Sequence, residues 1–262
     1  MSASLSGKSN VLLHMKYKAI MLDLDDTTVV HGKENLPSSR VTEAIAKAKK
    51  YLSVCVVTAR TLKDAMPVLN HLELSGPCVL TNGTQIYDPV AKKIIHEVLL
   101  PFGVAPKVKR ICNREHIEMR IFNGIEDFEV FDTHTKKILA VYLPQVVPEA
   151  ADTIVGKLQG IQGVNVQKLN AWDKRYMAID ITSNKASKLH GIVEVARLLH
   201  ISTDEIIGVG DGYNDFPLLL ACGLKIAMGN AVPELKEIAD FIAPSVYDDG
   251  VATVIEKFVL LK

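Results

Sequence analysis

Two short stretches place carboxylates directly after apolar runs. Asp23-Leu24-Asp25-Asp26-Thr27 follows KAIML, and Gly210-Asp211-Gly212-Tyr213-Asn214-Asp215 follows IIGV. Open α/β sheets bind their ligands at the carboxyl ends of parallel strands, so both stretches lie where a site would form. Asp23 and Asp25 are two residues apart, which strand alternation places on one side as long as the chain has not begun to turn. Four carboxylates converging on one crevice repel one another unless a cation or a proton relieves them. Their hard oxygens suit magnesium better than zinc. Either stretch alone could cap a helix, through Asp26 and Thr27 or through Asp211. The two together, on a chain whose 30 basic and 30 acidic side chains cancel, read as a site.

Two more elements supply what carboxylates lack. Thr58-Ala59-Arg60 follows SVCVV and sets a hydroxyl where it can hydrogen-bond an anion. Lys188, in SNKASKLHG, falls just inside a predicted helix start. Lys185 competes with it on local grounds, and a solvated surface lysine is the plain alternative for either.

The elements that must position these residues follow an α/β pattern from Tyr17 onward. KAIMLDL, SVCVVT and PCVLTNG are near-continuous apolar runs, as expected of strands covered on both faces. Helical patterns over 40–50 and over LKDAMPVLNHL, which contains a proline, separate them. TNG supplies an Asn-Gly turn, and QIYDPVAKKIIHE reads as a hairpin. Residues 99–177 have a different texture, with helices near 106–114 and 148–159 alternating with the strands EMRIF, KKILAVYL and VNVQK. That middle segment predicts a separate α+β module. Beyond it the covered-sheet pattern returns: a helix over 186–199, then IIGVG, KIAMG and DFIA interleaved with helices, and a last helix over 249–260. The expectation is therefore a flexible tail over 1–16, one α/β domain formed by 17–98 and 178–262, and an inserted α+β module over 99–177.

Composition bounds the function. The 262 residues suit one large α/β domain or a core with an insertion, and 48% apolar with 23% charged residues is ordinary for a chain that buries a real core. Zero net charge gives no electrostatic reason to expect nucleic acid or an anionic membrane as partner. Cys55, Cys78, Cys112 and Cys222 have no metal-ligand spacing and read as small buried hydrophobes of a reducing compartment. No apolar run approaches the roughly 20 residues that cross a bilayer. The Ser-rich start lacks the features of a signal peptide, so a cytoplasmic protein is expected.

In order along the chain, DLDDT (23–27), VVTAR (56–60), SK (187–188) and GDGYND (210–215) resemble the four motifs of the haloacid dehalogenase superfamily. TNG (81–83), MGNA (228–231), LKEIAD (235–240) and DDGV (248–251) resemble its Cof-type, type IIB-capped, sugar-phosphatase-like branch. The resemblance runs from Tyr17 to the end, specific in the core and architectural in the middle module. It implies a Rossmann-like parallel sheet with an inserted α+β cap that closes over the substrate. Asp26 stands where the first motif usually has glycine, and Ala59 where a glycine is common; neither departure touches a reacting group.

By this resemblance Asp23 is the nucleophile that takes a phosphoryl group, and Asp25 is the general acid and then the base. Thr58 and Lys188 hold phosphate oxygens, and Asn214 supports the phosphate or the lysine. Mg2+ is held by Asp23, by Asp25 through its backbone carbonyl, and by Asp211 and Asp215, the last directly or through water. The chemistry asks for these types independently. A phosphate dianion repels an aspartate nucleophile, so cationic neutralisation is needed. An alkoxide leaving group needs a proton, and covalent transfer divides the task into two steps. Arg120, Trp172, Lys174 and Arg175 are the cap residues that could set specificity. The substrate class is a small phosphorylated metabolite, sugar-phosphate-like. A phosphomutase using the same aspartyl-phosphate, or a non-catalytic phosphometabolite-binding module, are the rival readings. Oligomeric state is left open.

Overall fold

A computed structural model describes residues 16–32, 36–125, 129–130, 137–171, 173 and 175–260. The expected tail over 1–16 thus lies outside the described residues, apart from Lys16. Of the strand Ala19–Leu22, all four side chains are buried, and so are those of Ile206–Gly210. Alternate residues of a strand face opposite ways, so burial of every position means both faces are covered. These two strands form the centre of a five-stranded sheet in the spatial order Phe241–Ile242, Leu224–Ala227, Ile206–Gly210, Ala19–Leu22, Ser53–Val56. All four pairings are parallel. The helices Ser39–Ala48, Leu62–Leu72, Lys188–Leu199, Phe216–Ala221 and Gly250–Ile255 contribute their apolar faces to the same core. Cys55, Cys78 and Cys222 belong to it, and all four cysteines are buried free thiols, as their apolar settings predict.

The third apolar run departs from simple βαβ repetition. Cys78–Leu80 meets the parallel sheet through a single bridge, Val57 to Val79, and then pairs antiparallel with Gln85–Asp88, which pairs with Lys93–Glu97. Thr81–Gly83 is the tight turn between the first two, with Asn82 and Gly83 both at positive φ. Gly83 is required there: a Cβ would run into the backbone of Ser187. That close approach seats the turn against the start of the helix carrying Lys188.

The second module is a five-stranded antiparallel sheet in the order Glu129–Val130, Arg120–Phe122, Ala140–Val146, Met177–Ser183, Val164–Asn170. Ile121, Val141, Leu143, Ile179 and Ile181 form its own core with Val108, Cys112, Ile154 and Leu158 of the helices Val104–Glu115 and Pro148–Gln159. Sheet pairing carries this module through Ser183, past the expected return to the first domain at 178. MAIDITS is the reason. Its alternation marks a sheet covered by helices on one face only, a pattern easily mistaken for the start of the next buried strand. The other face presents a cross-strand row of Arg120, Tyr142, Asp180 and Gln167. A slip of one residue would bury Asp180 among the helices and expel Ile179 and Ile181, each worth about 2 kcal/mol of burial. The register therefore fixes which face Asp180 occupies.

Candidate active site

The first acidic stretch turns immediately after its strand. Asp23 N–H donates to Val209 O at 3.0 Å, the last step before the chain folds into a tight loop in which Thr28 Oγ1 donates to the Asp23 carbonyl at 2.5 Å. Asp26 has φ 56°, which explains why a glycine is natural at this position and why Asp, tolerant of the left-handed region, can replace it. The second stretch follows the neighbouring strand. Gly210 there leaves room for the Asp215 side chain, whose Cγ would lie 2.5 Å from an added Cβ.

Asp23, Asp211 and Asp215 offer carboxylate oxygens that all lie within 4.8 Å of one another. Lys188, the first residue of its helix behind the Ser187 cap, is fully buried. Its Nζ donates to Asp23 Oδ1 at 2.7 Å and Asp215 Oδ1 at 2.5 Å. Burial works against the ammonium charge, but Asp215 and Asp23 outweigh it and raise the Lys188 pKa. Asp215 Oδ2 accepts from the backbone N–H groups of Asp211 and Gly212 at 3.0 and 2.9 Å, so the same carboxylate shapes the loop that carries Asp211. Thr27 Oγ1 donates to Asp211 Oδ1 at 2.5 Å, tying the two acidic loops together.

Crowding shows in the protonation. Burial and the neighbouring Asp215 raise the Asp23 carboxyl to about 7 against the pull of Lys188. Burial, Asp215 and Asp23 raise Asp211 well above the usual carboxylate range. A divalent cation among these oxygens would displace the protons and relieve the repulsion, and the all-oxygen donor set suits a hard ion.

Asp25 lines the same cavity, but its carboxylate is not part of the Asp23–Asp211–Asp215 cluster. The Asp25 side chain is held by Arg60, Nε to Oδ2 at 2.9 Å and Nη2 to Oδ1 at 2.7 Å, with His31 Nδ1 3.5 Å away. Burial would raise the Asp25 carboxyl, yet the hydrogen bonds of Arg60 and His31 bring it down to about 2. Arg60 and His31 had no assigned part in the sequence reading. Arg60 sits two residues beyond Thr58, and only its burial beside Asp25 marks it.

Asp23, Asp25 and Asp211 line one cavity of about 290 Å³ with Thr58 and Asn214. Thr58 Oγ1 accepts from Arg60 N–H at 3.1 Å, which leaves its own proton for an anion. Lys188 does not line the cavity; it acts on it through Asp23. The opposite wall belongs to the second module and includes Glu118, Arg120, Tyr142 and Asp180. Asn82 joins the two sides: its Nδ2 donates to Asp180 Oδ2 at 2.6 Å and its Oδ1 accepts from Asn214 Nδ2 at 3.4 Å. Neither Asn82 nor Asp180 was singled out as a site residue in the sequence. Of the four cap candidates, Arg120 lines the cavity with its Nε on Glu118 Oε1 at 2.7 Å. Arg175 is exposed, paired with Asp173 at 2.6 Å, and lines neither this cavity nor the smaller one beside it. Trp172 and Lys174 lie outside the described residues.

The sequence model of the haloacid dehalogenase-like hydrolase family matches residues 20–138 and 125–255. The chain belongs to that family. It is similar to the pyridoxal phosphate phosphatase YbhA of Escherichia coli, 25% identical with 91% of this chain and 97% of the relative covered. It is equally similar, at 25% identity, to a phosphoglycolate phosphatase of Methanobrevibacter smithii, with 94% of this chain and 100% of the relative covered. Among solved structures, the HAD subclass IIB sugar phosphatase BT4131 superimposes with a TM-score of 0.78 at 18% identity, covering 93% of this chain and all of that one. The α/β fold with an inserted α+β cap is thereby that of the family, and the chain is a phosphatase of it. Among the described residues no helix is long and apolar enough to cross a membrane.

Proposed function

We propose that the chain is a Mg2+-dependent phosphatase of a small, hydroxyl-rich phosphate ester, acting through an aspartyl-phosphate on Asp23, with the module over residues 99–183 as the cap that closes on the leaving group. The observation that carries this reading is the Asp23–Asp211–Asp215 cluster, backed by Lys188, at the floor of a cavity roofed by the antiparallel sheet. A cavity of about 290 Å³ suits a small ester and not a macromolecule.

Asp23, Asp211 and Asp215 would hold the cation, with Asp25 contributing its backbone carbonyl. The bound cation would supply electrostatic neutralisation of the phosphate oxygens. Lys188 adds a positive charge behind Asp23 and favours the ionised form of that carboxylate against burial and Asp215. Thr58 donates its hydroxyl to a phosphate oxygen, and Asn214 lines the same wall. Asp23 forms the bond to phosphorus as the bond to the leaving oxygen breaks, and Asp25 gives that oxygen its proton. Asp25, then a carboxylate, takes a proton from the water that hydrolyses the acyl phosphate. Gripped by Arg60, Asp25 is held in the form that serves the second step, so the first step requires that grip to loosen as substrate enters.

Phosphate release from a panel of small esters, with Mg2+ and with excess chelator, tests the reading. Release from at least one ester only with the cation supports it; isomerised ester without free phosphate would make the chain a mutase instead.

A further inference from the structure

Asp180 is a buried polar group of the cavity for which the phosphoryl chemistry has no use. It sits mid-strand on the cap sheet and is 3% exposed, with Asn82 bonded to Oδ2, while its Oδ1 is buried without a hydrogen-bond partner. A buried carboxylate oxygen left unsatisfied is costly, so such a group marks a place where a ligand donor belongs. The cap register fixes its neighbours as Tyr142 and Gln167, and Tyr142 lines the same cavity.

Charge decides what the donor can be. Arg60 is held by two bonds to Asp25, and Arg120 gives its Nε to Glu118. His31 faces Asp25. A carboxylate or second phosphate of the leaving group brought against Oδ1 would be repelled by Asp180 itself. A hydroxyl has no such conflict: it donates to Oδ1 and carries no charge to desolvate.

We infer that Asp180 is a specificity-determining residue whose Oδ1 accepts a hydrogen bond from a hydroxyl of the leaving group, so that the site selects neutral polyol or sugar phosphates over carboxylated esters. Asn82 is the positioning residue, since its amide bond to Oδ2 fixes which oxygen is offered. The inference rests on the phosphatase reading and names the substrate class within it.

The test compares the unsubstituted enzyme with Asp180→Ala and Asp180→Asn on hexose phosphates, their monodeoxy analogues, phosphoglycolate and nitrophenyl phosphate. In the unsubstituted enzyme one deoxy analogue should lose about 10–100-fold in kcat/KM, the range of a hydrogen bond to a charged group. In Asp180→Ala that gap should close to within about threefold, and the loss on nitrophenyl phosphate should be much the smaller. Asp180→Asn keeps an oxygen for Asn82 and turns an amide donor toward the cavity. It should fold even where the alanine variant does not, and should raise phosphoglycolate relative to the hexose phosphate by about tenfold or more. Equal losses on every ester, or a deoxy gap unchanged in both variants, would overturn the assignment. Failure of the unsubstituted enzyme to release phosphate even from nitrophenyl phosphate would strike at the phosphatase reading itself, and this inference would go with it.

Discussion

Arg60 and Asp25 form a two-bonded ion pair, Nε to Oδ2 at 2.9 Å and Nη2 to Oδ1 at 2.7 Å, with the guanidinium buried. The same Nη2 reaches Gly32 O at 3.4 Å and Nη1 reaches Asp64 O at 3.2 Å, so Arg60 is itself held from several sides. Two carboxylates on one tight loop thereby acquire different protonation: Asp23 raised to about 7 by burial, Asp25 lowered to about 2 by Arg60 and His31 against burial. These shifts run opposite to the first step, which needs Asp23 ionised and Asp25 protonated, so cation binding at Asp23 and loosening of the Arg60 grip must accompany substrate binding.

Arg60→Ala should reduce kcat on alkyl phosphates by about 10–100-fold with little change in KM, because Asp25 is then no longer held as the positioned carboxylate that the second step needs, while the phosphate contacts stay in place. Arg60→Lys should recover only part, since a point charge cannot reproduce the two-bonded geometry. The linked stability has a definite sign. Asp25 has a folded pKa below its unfolded value of 3.8, so the pair stabilises above that value and the contribution fades as pH falls toward about 2. Urea unfolding of Arg60→Ala should show a deficit of about 2 kcal/mol at neutral pH that narrows as pH drops below about 4.

Lys188→Ala leaves Asp23 and Asp215 buried without their cation. Stability should fall by about 3–5 kcal/mol, the cost of breaking a buried pair by removing one partner, and Mg2+ should recover part of it. Thermal melting with and without the ion checks both parts. An alanine variant as stable as the parent would mean that the pair contributes little to folding.

Asp211→Ala removes one carboxylate from the cluster and frees Thr27, so cation affinity and turnover should fall together. Mg2+ at about 100 times its dissociation constant stabilises a folded protein by about 2.7 kcal/mol. That rise in melting temperature should be present in the parent and largely absent in Asp211→Ala. Ca2+, with a looser and larger shell, should bind and stabilise without supporting turnover.

Much of this site is legible in the sequence because apolar runs end abruptly in carboxylates. Asp23 and Asp211 follow strands whose every residue is buried, and that run-then-acid pattern needs no tertiary knowledge. Lys188 is marked by its place at a helix start, but nothing local distinguishes it from Lys185; its pairing with Asp23 spans 165 residues of chain. Asp180 and Asn82 were hidden for a related reason. In MAIDITS a polar residue at alternate positions ordinarily faces water, and only the covering of that face by the first domain buries it. The Asp25 carboxylate stands apart from the three-carboxylate cluster because the strand ends at Leu22, so strand alternation does not govern Asp23 and Asp25, and Arg60 takes hold of Asp25 instead.

Asp180 has a pKa raised from 3.8 to about 6, chiefly by burial against the opposing Asn82 hydrogen bond. The folded state therefore holds this proton where the unfolded chain has lost it, so the group's contribution to stability falls as pH rises from about 4 to about 6. Asp180→Asn has no such titration. Its stability relative to the parent should increase by up to about 3 kcal/mol across that interval, read as the difference in urea midpoints at the two ends. A constant difference would show that Asp180 titrates at the same pH in both states.

The central claim is that Asp23 takes the phosphoryl group and Asp25 moves the proton, and one measurement separates the two. Both Asp23→Asn and Asp25→Asn are mixed with nitrophenyl phosphate in a quenched-flow apparatus, followed by intact and peptide mass spectrometry. With a leaving group that needs no proton, Asp25→Asn should complete the first step more readily than the second and accumulate a phosphoryl mass gain on the peptide containing Asp23. On an alkyl phosphate its turnover should fall by about 10²–10⁴-fold. Asp23→Asn should show no mass gain at all, while still binding ester. Label on any other residue, or native turnover by Asp23→Asn, would contradict the account.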